Sequence, residues 1–291
     1  MKKTAILFSS ILLNLISFSA AAQELVIRID DMGALHSVNE ASIDTYKNGI
    51  ATSVEVLVVG PWFPEAVKML KENPGLDAGV HLAITSEWEN VKWRPLTVCP
   101  SLVDEYGYFY PMMWTNPAYP GQSVLENMQK FDLAEIEKEF RAQIELAIRT
   151  IPQLTHITGH MMSTAFSPEV TELVQKLSRE YGLPGIDRAG ASQQFGYESI
   201  GYDGPKATSE EKISSFIKVL NKLEKGKKYL FLDHPAYDDS EMETVMHIGY
   251  EDVAVDRQGV TDMLKSPEVR KVINERGIKL ITIAELTGKT L

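Results

Sequence analysis

The sequence predicts an α/β protein, a (β/α) barrel of about seven parallel strands. Apolar runs of strand length alternate with amphipathic helical segments along most of the chain, the pattern of a parallel sheet with crossover helices. The alternating units are short, which favours a barrel over an open doubly wound sheet. No G-x-G-x-x-G or phosphate-loop pattern follows any strand, so nucleotide binding has no support.

The elements read in order as follows. Residues 25–29, Leu-Val-Ile-Arg-Ile, form a buried strand that ends in Asp30-Asp31-Met32-Gly33, where glycine permits a sharp turn. Residues 38–47 are helix-like, and 52–59 form a second strand rich in β-branched side chains. A helix over 63–72 stops at Asn73-Pro74-Gly75, and 78–84 is the third strand. Residues 133–151 carry one apolar helical stripe, Ile136, Phe140, Ile144, Ala147 and Ile148, behind Asp132 as cap. A short strand follows over 154–157. The next helix, 168–181, lies between Ser167 as cap and Gly182 as stop. Residues 185–187 are a candidate fifth strand and 209–223 a helix. The sixth strand is 228–232, the stretch 260–276 is mostly helical, and 278–283 is the last strand.

Residues 86–131 break this rhythm, as a long insertion after the third strand. They contain Trp88, Trp93, Tyr106, Tyr108, Phe109, Tyr110, Trp114 and Tyr119 together with five prolines. A loop of this length inside a domain is usually functional. Most of its aromatic side chains are expected to form a satellite core. One or two, Trp88 among them, are expected to face a substrate, with the segment walling the cleft.

The ends and the composition set bounds. Residues 1–22 have the basic start, apolar stretch and Ala20-Ala21-Ala22 cleavage site of a bacterial secretory signal. The expected location is periplasmic or secreted, with 23–291 as a single domain and no membrane attachment once the signal is removed. Without those residues 269 remain, and loss of Lys2 and Lys3 moves the formal charge from −11 to −13. Such acidity argues against nucleic acid and anionic membranes. The single cysteine, Cys99, allows no internal disulfide, so the core must stand without staples. A homodimer is admitted but not required.

The chemistry-bearing residues gather at strand ends. Asp30 and Asp31 end the first strand and His81 lies in the third. His156 and His160 bracket the end of the fourth, and His234 ends the sixth. In a parallel barrel these ends meet on one face. Two adjacent carboxylates repel unless a cation or a shared proton relieves them; the alternative is that one caps a helix and the other is exposed. One carboxylate and two imidazoles with open positions form a catalytic metal arrangement. Singly, each histidine is more often a satisfied structural residue than a ligand. Four such groups at four strand ends are harder to dismiss. His36 reads as a surface-loop residue, His247 is assigned no role, and Asp187-Arg188 reads equally as a substrate contact or a buried ion pair.

These residues form a family pattern. Asp30-Asp31-Met32-Gly33 followed by Val38-Asn39-Glu40-Ala41 resembles the D-D-x-G…N-x-A opening of the YdjC-like carbohydrate deacetylases. Ala51-Thr52-Ser53 is similar to that family's second strand and Gly79-Val80-His81-Leu82 to its G-x-H-L. His156-Ile157-Thr158-Gly159-His160 resembles its H-x-D-x-H, and His234-Pro235-Ala236, with Arg257 beyond, its H-P-G region. The resemblance implies a metal-dependent hydrolase that removes acetyl from N-acetylated sugars such as chitooligosaccharides. By position, Asp31, His81 and His160 would bind a divalent ion. Zn²⁺ is the default for that ligand set, with Mg²⁺, Mn²⁺ or Co²⁺ as alternatives. Asp30 would be the base and His234 would assist as acid or by orienting a partner; His156, Arg188, Arg257 and Trp88 are substrate-contact candidates. Thr158, Met162 and Ala236 depart from the pattern and bear on how the ligands are oriented. The other readings are a sugar-binding protein with a decayed site and a metal-dependent esterase or glycosidase on the same site.

Overall fold

The computed structural model describes residues 22–188 and 190–289. The expected export signal lies outside the described residues, apart from Ala22. β1 (Glu24–Met32) is buried over nearly its whole length and is central to an all-parallel sheet. β2 (Ser53–Val56), β3 (Asp77–Leu82) and β4 (Leu154–Gly159) follow on one side; β6 (Lys228–Asp233) and then β5 (Tyr197–Ile200) follow on the other. β7 (Lys279–Ile281) pairs with Glu24–Val26 of β1, below the point where β2 begins its own pairing at Arg28. An isolated parallel bridge from Ile157 to Gly185 carries the sheet one step past β4. The Tyr197 hydroxyl donates to the Ile186 carbonyl at 3.1 Å across the remaining gap. The result is an incompletely closed barrel of seven parallel strands.

The helices are α1 (His36–Lys47), α2 (Phe63–Glu72), α3 (Leu133–Thr150), α4 (Pro168–Tyr181), α5 (Ala191–Phe195), α6 (Ser209–Leu220), α7 (Val253–Lys265), α8 (Pro267–Arg276) and α9 (Ile283–Thr287). The expected caps are in place: Asp132 accepts from Ala134 at the start of α3, and Ser167 from Val170 at the start of α4. Two expectations change. The fifth strand is 197–200 rather than 185–187, because Gly185 makes only the single bridge. The stretch 260–276 is two helices, broken where Ser266 caps α8 ahead of Pro267; proline suits a first helical turn and not a helix interior. Among the described residues no helix is long and apolar enough to cross a membrane.

The strand period of two sorts β1. Leu25, Ile27 and Ile29 join the apolar core beneath the surrounding helices, while Val26, Arg28 and Asp30 face into the barrel. Val26 packs with Ile186, Leu230, Ile281, Ile283 and Leu286, an apolar floor at the N-terminal end of the barrel. Above it Asp77 accepts from Ser53 Oγ at 2.8 Å, from Thr155 Oγ1 at 2.5 Å and from the Ala284 amide at 3.0 Å. These bonds moor α9 under the sheet. Higher still, Glu55 of β2 meets His156 of β4 at 2.7 Å.

The Glu55–His156 contact passes over β3, and Gly79 makes that possible. Gly79 pairs in register with both residues. A Cβ there would stand 2.2 Å from Glu55 Oε2 and 2.4 Å from His156 Nε2. Gly79→Ala is therefore expected to destabilise the protein by about 1–3 kcal/mol through overpacking, measured by urea unfolding. Unchanged stability would mean that the two strands do not meet as closely as this.

Candidate active site

Consecutive strand residues point to opposite faces, yet Asp30 and Asp31 both reach the cavity at the C-terminal end of the barrel. A β-bulge explains this. Ile29 pairs with Val54 and Met32 with Val56, so β1 spends one more residue than its partner. Asp31 has φ +74°, a left-handed conformation rare outside glycine and asparagine that costs on the order of 1–3 kcal/mol. The turn beyond is held by Asn39, whose Oδ1 accepts from the Gly33 amide at 2.7 Å.

Asp31, His81 and His160 each place one donor atom within 4.8 Å of the others. Asp31 Oδ1 lies 3.2 Å from His160 Nδ1 and 3.7 Å from His81 Nε2. It is buried and makes no hydrogen bond. A buried carboxylate oxygen without a hydrogen-bond partner, facing two imidazole nitrogens, fits a divalent cation. Each ligand is held from behind. Arg257 Nη2 donates to Asp31 Oδ2 at 2.9 Å, Glu87 Oε2 lies 2.9 Å from His160 Nε2, and Thr158 Oγ1 lies 2.9 Å from His81 Nδ1.

The charges follow from these neighbours. Burial pushes Asp31 up, but His234, His160 and Arg257 outweigh it and hold the carboxyl well below its ordinary value. Burial, with His160 and Arg28, keeps His81 well below the usual imidazole range, the neutral form a metal requires. Burial works against a charge on His160, yet Glu87 and Asp31 raise it to about 10. A cation bound there would release that proton.

Asp30 is set apart from this group. Arg28 Nε and Nη2 each donate to one of its oxygens at 2.7 Å, a bidentate grip. Asp30 Oδ2 still lies 3.6 Å from His81 Nε2, beside the cation site. Burial raises its pKa to about 6 against the pull of Arg28 and His234. His234 stands a third exposed at the rim, 4.0 Å from Asp31 Oδ2. Burial opposes its imidazolium, but Asp31, Asp233 and Asp30 raise its pKa.

These residues open onto a cavity of about 1390 Å³. Arg188, Arg257 and Trp88 line it, as do Asp30, Asp31, His81, His160 and His234. His156 does not. It is fully buried inside the barrel between Glu55 and Thr155, so the expectation that it touches substrate is not met by its position. Asp187 takes the ion-pair reading, with Oδ1 2.5 Å from Arg28 Nη1. His36 sits at the start of α1 with Glu65 at 3.0 Å.

The insertion contributes less to the cavity than its length suggests. Glu87 and Trp88 line it. Beyond them the segment packs on α3, where the Leu96 and Thr97 amides donate to Glu139 at 3.0 and 2.9 Å. It is also tied to 246–248: the Glu89 amide donates to the Met246 carbonyl, and the Tyr119 hydroxyl accepts from the Ile248 amide. Trp93, Phe109 and Tyr119 are buried, and Tyr106 and Trp114 are exposed. Sequence reasoning missed Glu87, Arg28, Glu55 and His247. His247 lines the cavity and stacks on Trp88 with ring centroids 5.7 Å apart. A charge inside an apolar strand, Arg28 in the first and Glu55 in the second, was the available signal, because such a charge needs partners.

Comparison with known proteins adds to this geometry. The family model described as YdjC-like protein matches residues 24–275. Carbohydrate deacetylase 2 of Listeria innocua is 26% identical over 279 residues, spanning 91% of this chain and 100% of that one. The chitooligosaccharide deacetylase of Yersinia pestis is 28% identical over 270 residues, spanning 88% and 96%. The crystal structure of a proposed cellobiose-phosphate cleavage protein of Enterococcus faecalis superposes with a TM-score of 0.71 at 26% identity, covering 91% of this chain and 99% of that one.

Proposed function

The chain belongs to the YdjC-like protein family, and on that premise we propose that it is a metal-dependent hydrolase removing acetyl groups from N-acetylated amino sugars or their oligosaccharides. The observation that carries this reading is the convergence of Asp31, His81 and His160 with a separately held carboxylate, Asp30, beside them. The names of the relatives support the substrate class. Export is part of the reading and is supported by the character of residues 1–22.

Asp31, His81 and His160 would hold the ion, with Zn²⁺ the first expectation for two imidazoles and one carboxylate. The ion would supply Lewis acidity to the acetyl carbonyl. Asp30 accepts the proton of the attacking water. Its pKa of about 6 is near neutrality, where a base is available and still takes a proton readily. His234, whose imidazolium form Asp31, Asp233 and Asp30 favour against burial, would supply the proton that the departing amine needs. Arg257 lines the cavity, where its guanidinium donates to Asp31 and lies 5.2 Å over the Trp88 ring, so it orients the Asp31 carboxylate and backs the substrate wall. Thr158, where the family pattern has Asp, still holds His81, which weakens the case for a decayed site.

The test is acetate release from a panel of N-acetylated sugars with Zn²⁺ or Mg²⁺ added. Free acetate with glycosidic bonds intact is expected. Cleaved glycosidic bonds would indicate a glycosidase, and sugar binding without acetate would indicate a binding protein; either result overturns the proposal.

A further inference from the structure

His81 can serve an ion through Nε2 only if Nδ1 carries the ring proton. The barrel interior contains a chain of groups that settles where that proton sits. His81 Nδ1 lies 2.9 Å from Thr158 Oγ1, which lies 2.6 Å from Glu55 Oε2. The Val80 carbonyl, at 3.4 Å, is the competing acceptor for the hydroxyl and is too far to win. Glu55 is fully buried, with His156 Nε2 at 2.7 Å and Arg28 Nε at 3.5 Å. A carboxylate only accepts, and the short contact from Thr158 Oγ1 marks it as the acceptor of that hydroxyl. The one proton of the Thr158 hydroxyl therefore goes to Glu55, and the Thr158 oxygen accepts from His81 Nδ1–H. This leaves the lone pair of His81 on Nε2, the nitrogen 3.7 Å from Asp31 Oδ1.

We propose that Thr158 and Glu55 are positioning residues that fix the tautomer and ring orientation of His81 for metal binding. The proposal rests on the metal-dependent reading above. It assigns a purpose to the residue at which this chain departs from the H-x-D-x-H pattern. The carboxylate is supplied by β2, two strands from β4, and the threonine hydroxyl carries its effect to the imidazole. Gly79 on the strand between leaves the passage open. His160 has its own carboxylate in Glu87, so the two imidazoles are oriented independently. Such outer groups typically contribute 10–100-fold in metal affinity.

Two measurements on the full chain test this. The first is the Zn²⁺ dissociation constant by chelator competition for wild type, Thr158→Val, Thr158→Ser and His81→Ala. Thr158→Val is expected to weaken binding about 10–100-fold while Thr158→Ser, which keeps the hydroxyl, stays within about threefold of wild type. The second needs no variant: nitrogen–proton NMR correlation of the His81 ring in the metal-free wild type should find the proton on Nδ1. Valine and wild type binding Zn²⁺ equally, serine losing as much as valine, or a proton on Nε2 would each overturn the proposal while the metal site stands. Wild type taking up no Zn²⁺, or His81→Ala binding it unchanged, would overturn the metal-dependent reading and this proposal with it.

Discussion

Asp30→Asn is expected to lower turnover by about 10²–10⁴-fold, the usual worth of a general base, while metal content stays at the wild-type level. The side chain keeps its shape and loses its capacity to take a proton. Asp31, His81 and His160 would supply the cation site without it. The Asn amide can still accept one of the two hydrogen bonds from Arg28, but its NH₂ opposes the other donor. That mismatch costs about 1–3 kcal/mol, so the melting temperature belongs beside the rate. His81→Ala should behave differently and lose metal and activity together. Retention of most activity by Asp30→Asn, or metal loss as complete as in His81→Ala, would show that Asp30 and Asp31 do not divide the labour as assigned.

Arg28→Met should be the most damaging change to stability away from the apolar core. Arg28 is fully buried and is bonded to Asp30 and Asp187, with Glu55 at 3.5 Å. Removing one partner of a buried ion pair typically costs about 3–5 kcal/mol, because the other charge is left uncompensated. For a chain of this size that corresponds to a drop in melting temperature of roughly 6–20 °C. The penalty should already shrink as pH falls to about 6, where burial places Asp30 even with Arg28 beside it, because losing the guanidinium raises that pKa further and protonation removes the unpaired charge in the folded variant. A variant melting within a degree or two of wild type at neutral pH would mean that water or rearrangement already satisfies these carboxylates.

Much of the site was legible because a parallel barrel brings strand ends together. His81 and His160 were placeable once β3 and β4 were read as parallel strands, and the order of motifs along the chain did the rest. Period-two alternation also held what was misread. His156, Thr158 and His160 are spaced two apart, and at about 3.3 Å per residue His156 lies roughly 13 Å deeper than His160. It therefore serves the interior and not the substrate. The bulge at Asp31 was not legible, because it is a backbone conformation that no side-chain pattern announces. Glu87 was hidden by the insertion, which has no period from which to infer direction. The 197–200 strand, Tyr-Glu-Ser-Ile, sets its two apolar residues three apart around two polar ones, so it shows no period of two.

The way the barrel is floored bears on how the molecule can assemble. The lower half of the first strand is completed from far along the chain: Glu24–Val26 pair with Lys279–Ile281, and α9 is moored beneath by Ser53 and Asp77. Glu24 and Lys279 are 255 residues apart, and the contacts that moor α9 span 230 and 207. Joining them incurs a large loop-closure entropy before any contact repays it, which slows folding. A nascent chain that stops short of residue 279 has neither the seventh strand nor the apolar floor, so Val26, Ile186 and Leu230 stay open to water. Synthesis from the N-terminus thus delays closure of this floor until residues 279–286 have been made. A chain kept loose for that long is exposed to aggregation through its unpaired strand edges, and it also remains threadable.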